Sequence, residues 1–238
     1  MAGELLLERY AGPAEGVSSK SSETDLVSEA DRASEAAILD LLTRERPDDG
    51  LLGEEGSSRE GASGRRWVVD PLDGTINYLY RFPAWCVSVA LEDAEGGLVG
   101  VVHDPLRDEM FTASRGGGAF LNGARVQVNS EESLELALVA TGFAYQAPVR
   151  ASQAQLLTQV LPQVRDIRRA GAAALDLAWV SCGRLDAYFE RGLKHWDWAS
   201  ARLLIAEAGG ALAELDGEPR GLAAANPVLL PKLLELVA

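Results

Sequence analysis

Chemistry concentrates in Trp67-Val68-Val69-Asp70-Pro71-Leu72-Asp73-Gly74-Thr75. A short apolar run with the pattern of a strand leads into two carboxylates, Asp70 and Asp73, on a turn that Pro71 and Gly74 make tight. Oxygen-rich and without nitrogen or thiol donors, the segment suits a hard cation such as Mg²⁺. Beyond Gly74 the pattern predicts a helix over Thr75 to Tyr80, whose free N–H groups would face an anion. A cation seat beside an anion seat is the arrangement that phosphoryl chemistry uses. The same residues also suit an Asx-type turn with a helix N-cap, and alone the segment leaves both readings open.

Two further acidic positions carry weight only in company with the first. Gly53-Glu54-Glu55-Gly56 lies in a polar stretch and by itself reads as a solvated loop. His195-Trp196-Asp197-Trp198 stands at a predicted helix start, where Asp197 by itself reads as an ordinary N-terminal acid.

These residues need elements to hold them. Gly3 to Tyr10 has the pattern of a short amphipathic helix, and Gly12 to Glu23 reads as loop. Ser28-Glu29-Ala30-Asp31 resembles a capping box that opens a helix ending before Pro47. The glycine-rich, charged stretch from Asp48 to Arg66 is expected as a surface loop or ribbon. Trp67–Asp70, Cys86–Leu91, Leu98–Val102 and Glu109–Ala113 read as strands in close succession, which implies antiparallel pairing, and hairpins continue to about Val128. After Ser130 the pattern alternates: strands at Ala137–Phe143, Asp166–Arg169 and Asp186–Glu190 interleave with helices at Ala151–Val160, Ala172–Cys182 and Trp196–Ala208. Strands near Ala211 and Leu222 and a helix after Pro227 complete the chain. The expected organisation is an α+β half over residues 1–130 with an antiparallel sheet, then an α/β half over residues 131–238.

Composition bounds the function. In 238 residues, 36 Asp and Glu stand against 22 Lys and Arg, a net charge of −14. That balance argues against non-specific binding to nucleic acid or an anionic membrane. No apolar run approaches the ~20 residues of a membrane span. Cys86 and Cys182 form no CxxC or disulfide framework, so a reducing cytoplasm is the expected setting.

Taken together, KSSETDLVSEAD (Lys20–Asp31), GEEG (Gly53–Gly56), WVVDPLDGTINYLY (Trp67–Tyr80), RRAGAAALDLAWVSCGRLDAYFE (Arg168–Glu190) and HWDWASARLLIAEAGG (His195–Gly210) resemble the inositol monophosphatase family. These are Mg²⁺-dependent, lithium-sensitive phosphomonoesterases, and the similarity runs from about Leu5 to the C-terminus. The resemblance implies a layered αβαβα sandwich and a homodimer. It implies a first Mg²⁺ on Glu54, Asp70 and the Leu72 carbonyl, a second on Asp70, Asp73 and Asp197, and a weaker third leaning on Glu54. Asp31 and Thr75 would orient the attacking water, so that Asp31, Thr75 and Glu54 are the expected catalytic residues. The Gly74 and Thr75 amides would hold phosphate oxygens. Asp73, Asp197, Glu190 and the Ala172–Ala173 backbone would meet the alcohol part of a small phosphorylated polyol or sugar.

Asn77-Tyr78 and the Ala-Tyr-Phe-Glu run ending in Glu190 look like the inositol branch, which makes inositol 1-phosphate the expected substrate. Fructose 1,6-bisphosphate, histidinol phosphate and nucleotide 3′,5′-bisphosphate are the alternatives, with a non-catalytic regulatory module as a reading of a different class. Departures from the family pattern lie outside the carboxylates: Arg81 stands where glycine is common, near the expected mouth of the site, and Ala172 stands where Thr or Ser is frequent. Gly116-Gly117-Gly118 lacks the context of a phosphate loop and reads as a hairpin turn. The scattered tryptophans read as core.

Overall fold

The computed structural model describes residues 1–20 and 26–238. Helix α1 (Ala2–Tyr10) buries Leu6 and leads to a ribbon of β1 (Ser18–Ser19) and β2 (Leu26–Val27). The expected loop from Gly12 therefore contains a short strand; its final residues, and the rest of the KSSETDLVSEAD motif from Ser21 to Asp25, lie outside the described residues. Helix α2 (Glu29–Glu45) opens on the predicted capping box: the Ser28 hydroxyl accepts the Ala30 N–H, and the Asp31 carboxylate accepts the Ser28 N–H at 2.8 Å.

Between Asp48 and Arg66 the expected ribbon is present, Leu51 and Leu52 pairing antiparallel with Arg59 and Ser58, but its first strand does not lie at the surface. β3 (Gly50–Gly53) is a mostly buried strand, followed by β4 (Ser58–Arg59), and it pairs in parallel with β5 (Arg66–Asp73). Gly-Leu-Leu-Gly is too short to show a period, and its burial comes from partners remote in sequence. The glycine at 61 belongs to that packing, since a Cβ there would lie 2.1 Å from the Gly50 nitrogen.

After α3 (Thr75–Leu79) come β6 (Cys86–Asp93), β7 (Gly96–Asp104), β8 (Glu109–Ser114), β9 (Gly118–Leu121) and β10 (Ala124–Val126). They form an eight-stranded sheet in the order β10-β9-β8-β7-β6-β5-β3-β4, antiparallel except at the β3–β5 pair. The N–H groups of Gly116 and Gly118 donate to the Glu207 carboxylate at 2.7 and 2.8 Å, so this glycine turn already holds an internal anion.

The second half contributes β11 (Leu138–Thr141), α4 (Ala147–Val160), β12 (Asp166–Arg168), α5 (Ala173–Ser181), β13 (Ala187–Arg191), α6 (His195–Glu207), β14 (Ala211–Leu215), β15 (Gly221–Ala225) and α7 (Leu229–Val237). Helix α4 begins four residues before the expected Ala151 because Pro148, with its preset φ, serves in the first turn. The second sheet runs β12-β11-β13-β15-β14, with β11 parallel to both neighbours.

Five layers result. Helices α1 and α2 cover the outer face of the large sheet, α5 and α6 fill the space between the sheets, and α4 and α7 cover the outer face of the small one. Small residues make the middle layer thin: Ala174, Ala178, Ala201 and Ser200 are fully buried, and a Cβ at Gly100 would lie 2.4 Å from the Ser200 carbonyl oxygen. Helix α6 packs closely on β7 and also against β6 and β5. Among the described residues no helix is long and apolar enough to cross a membrane.

Candidate active site

Asp70 and Asp73 are three residues apart, and in a regular strand an odd spacing would send them to opposite faces. They end on one side because of a bulge: Asp70 pairs with Ser88 and Asp73 with Cys86, so three steps on β5 match two on β6. Pro71, which has no N–H for the ladder, sits within that irregularity. Gly74 then turns the chain in the left-handed region at φ +89° and starts α3.

Around this bulge lies a cleft of about 660 Å³. Glu54, Asp70, Leu72, Asp73, Gly74 and Thr75 line it from the first half; Ala173, Glu190 and Asp197 line it from the second. Every site residue expected from the sequence reaches this cleft except two. Asp31 is fully buried behind it and is reached through Thr75, whose hydroxyl donates to Asp31 Oδ1 at 2.7 Å and lies 3.1 Å from the Leu72 carbonyl oxygen. Ala172 is buried beneath Gly74, where a Cβ would lie 3.2 Å from the Ala172 Cβ.

The carboxylates sit where charge is costly. Burial, then the charges of Glu54, Asp73 and Asp197, hold Asp70 well above the usual carboxylate range. Burial and the charges of Asp73 and Glu54 do the same to Asp197. Asp73 is pushed up to about 6 by burial, less far because its Oδ2 accepts the Ala174 N–H at 2.7 Å. That bond makes Asp73 a cap, supplied from β5, for helix α5, whose own Ala172 has no capping side chain. Asp197 likewise accepts the Lys194 N–H at 2.6 Å, so its role as a helix-start acid and its place in the cleft coexist.

Glu54 points to Lys20, whose ammonium donates to Glu54 at 2.8 Å and to Glu55 at 2.6 Å. Burial opposes the Lys20 charge, but the two glutamates outweigh it and raise its pKa. Burial likewise pushes Glu55 up to about 7. Among the described residues no group of three or more acidic, histidine or cysteine side chains closes into a finished metal cage. The donor set nonetheless fits a hard divalent cation. It is all oxygen, Asp70 and Glu54 come within hydrogen-bonding reach of each other, and the buried acids raise one another's pKa for want of positive charge.

Across the cleft Glu190 is not the surface acid its strand-end position allows. It is half-buried, takes the Tyr188 hydroxyl, and is pushed up to about 7 by burial, with that hydroxyl and Arg169 holding it lower than burial alone would. A Cβ at Gly142 would fall 1.9 Å from Glu190 Oε2, so the glycine makes room for the carboxylate.

Two sequence readings are corrected here. Arg81 does not stand at the mouth of the site: its guanidinium bonds the Gly12 carbonyl and lies over the Tyr10 ring, 4.9 Å from the centroid. Its backbone takes a left-handed φ of +60°, the region that favours glycine. Trp196 lines the cleft rather than the core alone, beside Arg169 of the Arg168–Glu190 motif and beside Phe143, Leu193 and Lys194, which carry no pattern visible in the sequence. Lys20 belongs to a motif that sequence reading singled out, yet its ion pairs needed the fold.

Fold and site together place the chain in a class. The inositol monophosphatase family profile matches residues 1–238, and the chain belongs to that family. Among its relatives, "Nus factor SuhB" of Xylella fastidiosa is 47% identical over 197 residues, 82% of this chain and 71% of that protein. "Inositol-1-monophosphatase" of Rhizobium meliloti is 45% identical over 209 residues, 86% of this chain and 77% of that protein. Of solved structures, extragenic suppressor protein SuhB from Bartonella henselae superposes with a TM-score of 0.94 at 38% identity, covering 99% of this chain and 93% of that one. The Thermotoga maritima IMPase gives 0.90 at 30% identity, covering 99% and 92%.

Proposed function

We propose that this protein is a Mg²⁺-dependent phosphomonoesterase that hydrolyses inositol 1-phosphate to inositol and phosphate. The observation that carries the reading is the convergence of Glu54, Asp70 and Asp73 from one half with Asp197 and Glu190 from the other on one cleft, above a buried Thr75–Asp31 pair. A regulatory module on this fold would have no chemical need for buried acids that raise one another's pKa.

Glu54, Asp70 and the Leu72 carbonyl would hold one Mg²⁺, and Asp70, Asp73 and Asp197 a second, with a weaker third on Glu54. Bound there, the ions supply the charge that makes water a nucleophile at neutral pH and stabilises the leaving oxygen. The chain's own work is positional. Thr75 donates to Asp31 Oδ1, so its hydroxyl oxygen keeps lone pairs free for the attacking water, and Asp31 is the proton acceptor behind it. Glu190, its Oε2 engaged by Tyr188, keeps Oε1 for a hydroxyl of the polyol. Asp73, capping α5, fixes the Ala173 backbone on the same wall.

The test is phosphate release, in Mg²⁺, from inositol 1-phosphate, fructose 1,6-bisphosphate, histidinol phosphate and adenosine 3′,5′-bisphosphate. Inositol 1-phosphate is expected to give the highest kcat/KM, and Glu190→Gln to erode that preference more than Mg²⁺ affinity. Li⁺ should inhibit in a Mg²⁺-dependent way, since a singly charged ion at the Asp70–Asp73–Asp197 position stabilises an oxyanion poorly. A nucleotide bisphosphate preferred by about tenfold, some 1.4 kcal/mol, would move the protein to another branch. Full turnover in excess EDTA would overturn the metal assignment.

A further inference from the structure

Helix α2 turns a ridge of polar side chains into the protein interior. Asp31, Ser34 and Glu35 are 0, 0 and 3% exposed, and their spacing puts them on one helical face. Each grips a different part of the site's frame. Asp31 takes the Thr75 hydroxyl at 2.7 Å, the Ser34 hydroxyl donates to the Pro71 carbonyl at 2.8 Å, and Glu35 Oε2 accepts the Glu55 N–H at 2.9 Å. The first two contacts hold the bulge and the turn after it. The third holds the turn that carries Glu54.

Glu35 is the least expected of the three. A buried carboxylate is costly, and a leucine at that helical position would pack without the penalty. Glu35 is absent from the cleft wall, so it touches neither substrate nor cation. It lies against the turn so closely that a Cβ at Gly53 would fall 2.5 Å from Glu35 Oε2. On the other side of that turn the Glu54 N–H bonds the Val69 carbonyl at 3.1 Å, next to Asp70. The Glu54–Glu55 backbone is thus clamped between α2 and β5 by its two consecutive N–H groups.

We infer that Glu35 is a positioning residue that, by holding the Glu55 N–H, aims the Glu54 carboxylate at Asp70 and so sets the affinity of the site for its divalent cation. The inference rests on the metal reading given under Proposed function. Outer groups that orient a metal ligand typically change affinity by about 10–100-fold when removed.

The experiment compares the parent with Glu35→Ala, Glu35→Gln and Glu35→Asp, using Mn²⁺ as probe and electron paramagnetic resonance to count free ion. Melting temperature and Mg²⁺ activation are measured on the same samples. Glu35→Ala is expected to weaken Mn²⁺ binding by about tenfold or more. Glu35→Gln, whose amide oxygen can still accept the N–H, is expected to stay within about threefold of the parent. At saturating Mg²⁺ the kcat of Glu35→Ala should recover most of the parent value, a split that loss of helix packing alone would not produce. Unchanged Mn²⁺ affinity in Glu35→Ala, whatever its melting temperature, overturns the inference. Should Glu35→Ala not fold, Glu35→Asp decides: its carboxylate is withdrawn by one methylene, and parental affinity there overturns the inference equally. A parent that binds no Mn²⁺ overturns both this inference and the metal reading. A parent that binds Mn²⁺ and releases no phosphate overturns the phosphatase reading alone, and the titration still decides on Glu35.

Discussion

Asp31 shows how one side chain serves two levels of organisation. Its Oδ2 closes the capping box on the Ser28 N–H while its Oδ1 takes the Thr75 hydroxyl. Asp31→Asn should therefore melt slightly lower, by about 1 kcal/mol at most, because a weaker cap replaces a charged one. If Asp31 also serves the attacking water, kcat should fall by about 10²–10⁴-fold with little change in KM or Mg²⁺ affinity, and Thr75→Ala should do the same. The double variant should lose less than the sum, since both act on one water. Normal kcat in Asp31→Asn with a lowered melting temperature would leave only the cap. A second expectation concerns pH. Glu190 sits at about 7 in the folded protein through burial, above the ordinary carboxylate value. An acid whose pKa rises on folding stabilises the folded state below the unfolded pKa and loses that contribution as pH climbs through the folded one. In cation-free protein the melting temperature of the parent, relative to Glu190→Gln, should thus fall between about pH 5 and pH 8. A difference that stays flat over that range would mean that the folded chain does not raise the pKa of Glu190.

Among the elements, the end of β5 and the start of α5 form one unit. The bulge turns Asp70 and Asp73 to one side, Gly74 lets the chain leave the sheet, and Asp73 receives the α5 amide that no local side chain caps. Gly74→Ala tests the unit. Its φ of +89° is unfavourable for alanine, and the added Cβ would lie 2.9 Å from the Ala84 carbonyl oxygen. The expected cost is about 1–3 kcal/mol in stability, accompanied by a loss of kcat because Asp73 and α5 shift together. Gly123→Ala is the control, with φ +79° and nothing within 4 Å of the new Cβ. It should cost only the backbone term of about 1 kcal/mol and leave kcat alone. Equal loss of activity in both variants would uncouple the bulge from the chemistry.

On the scale of the whole molecule, the acids come from segments far apart in sequence, and the stretch around Asn129 that links the two large sheets is fastened. Asn129 donates to Asp186 at 2.6 Å, Asp186 takes the Leu138 N–H at 2.7 Å, and Asn226 donates to the Asn129 and Glu131 carbonyls at 3.0 and 2.7 Å. A cation held between Asp70, Asp73 and Asp197 would bind the folded chain and not the unfolded one, which raises melting temperature by mass action. Saturating Mg²⁺ should therefore raise the melting temperature of the parent by several degrees, a gain of about 3–4 kcal/mol at 100–1,000 times Kd. Asp197→Asn should melt higher than the parent without Mg²⁺, because one charge of the mutually repelling carboxylates is gone, and should gain less from Mg²⁺. Calorimetry that finds the same Mg²⁺ increment in both proteins would take Asp197 out of the cation site.

The broad architecture, and the Asp70–Asp73 pair at the heart of the candidate site, were legible in the order of residues. Asp70 and Asp73 stood out by type and spacing, whereas Glu54 and Asp197 entered only through the resemblance of their motifs to a family; the capping box fixed the start of α2, and short turns between alternating runs required an antiparallel sheet. These are local properties, decided by propensity and by neighbours a few residues away. The tertiary structure decided the rest. Asp70 and Asp73 share a side only because β6 imposes a bulge, and strand periodicity alone would have separated them. Gly50–Gly53 is a buried parallel strand only because β5 lies beside it. Arg81 turned from the expected mouth to Tyr10, Lys20 found Glu54 across 34 residues, and Glu35 found the turn 20 residues on. Such partners are chosen by burial, which rewards only the pairings the completed layers bring together, and no spacing along the chain records them.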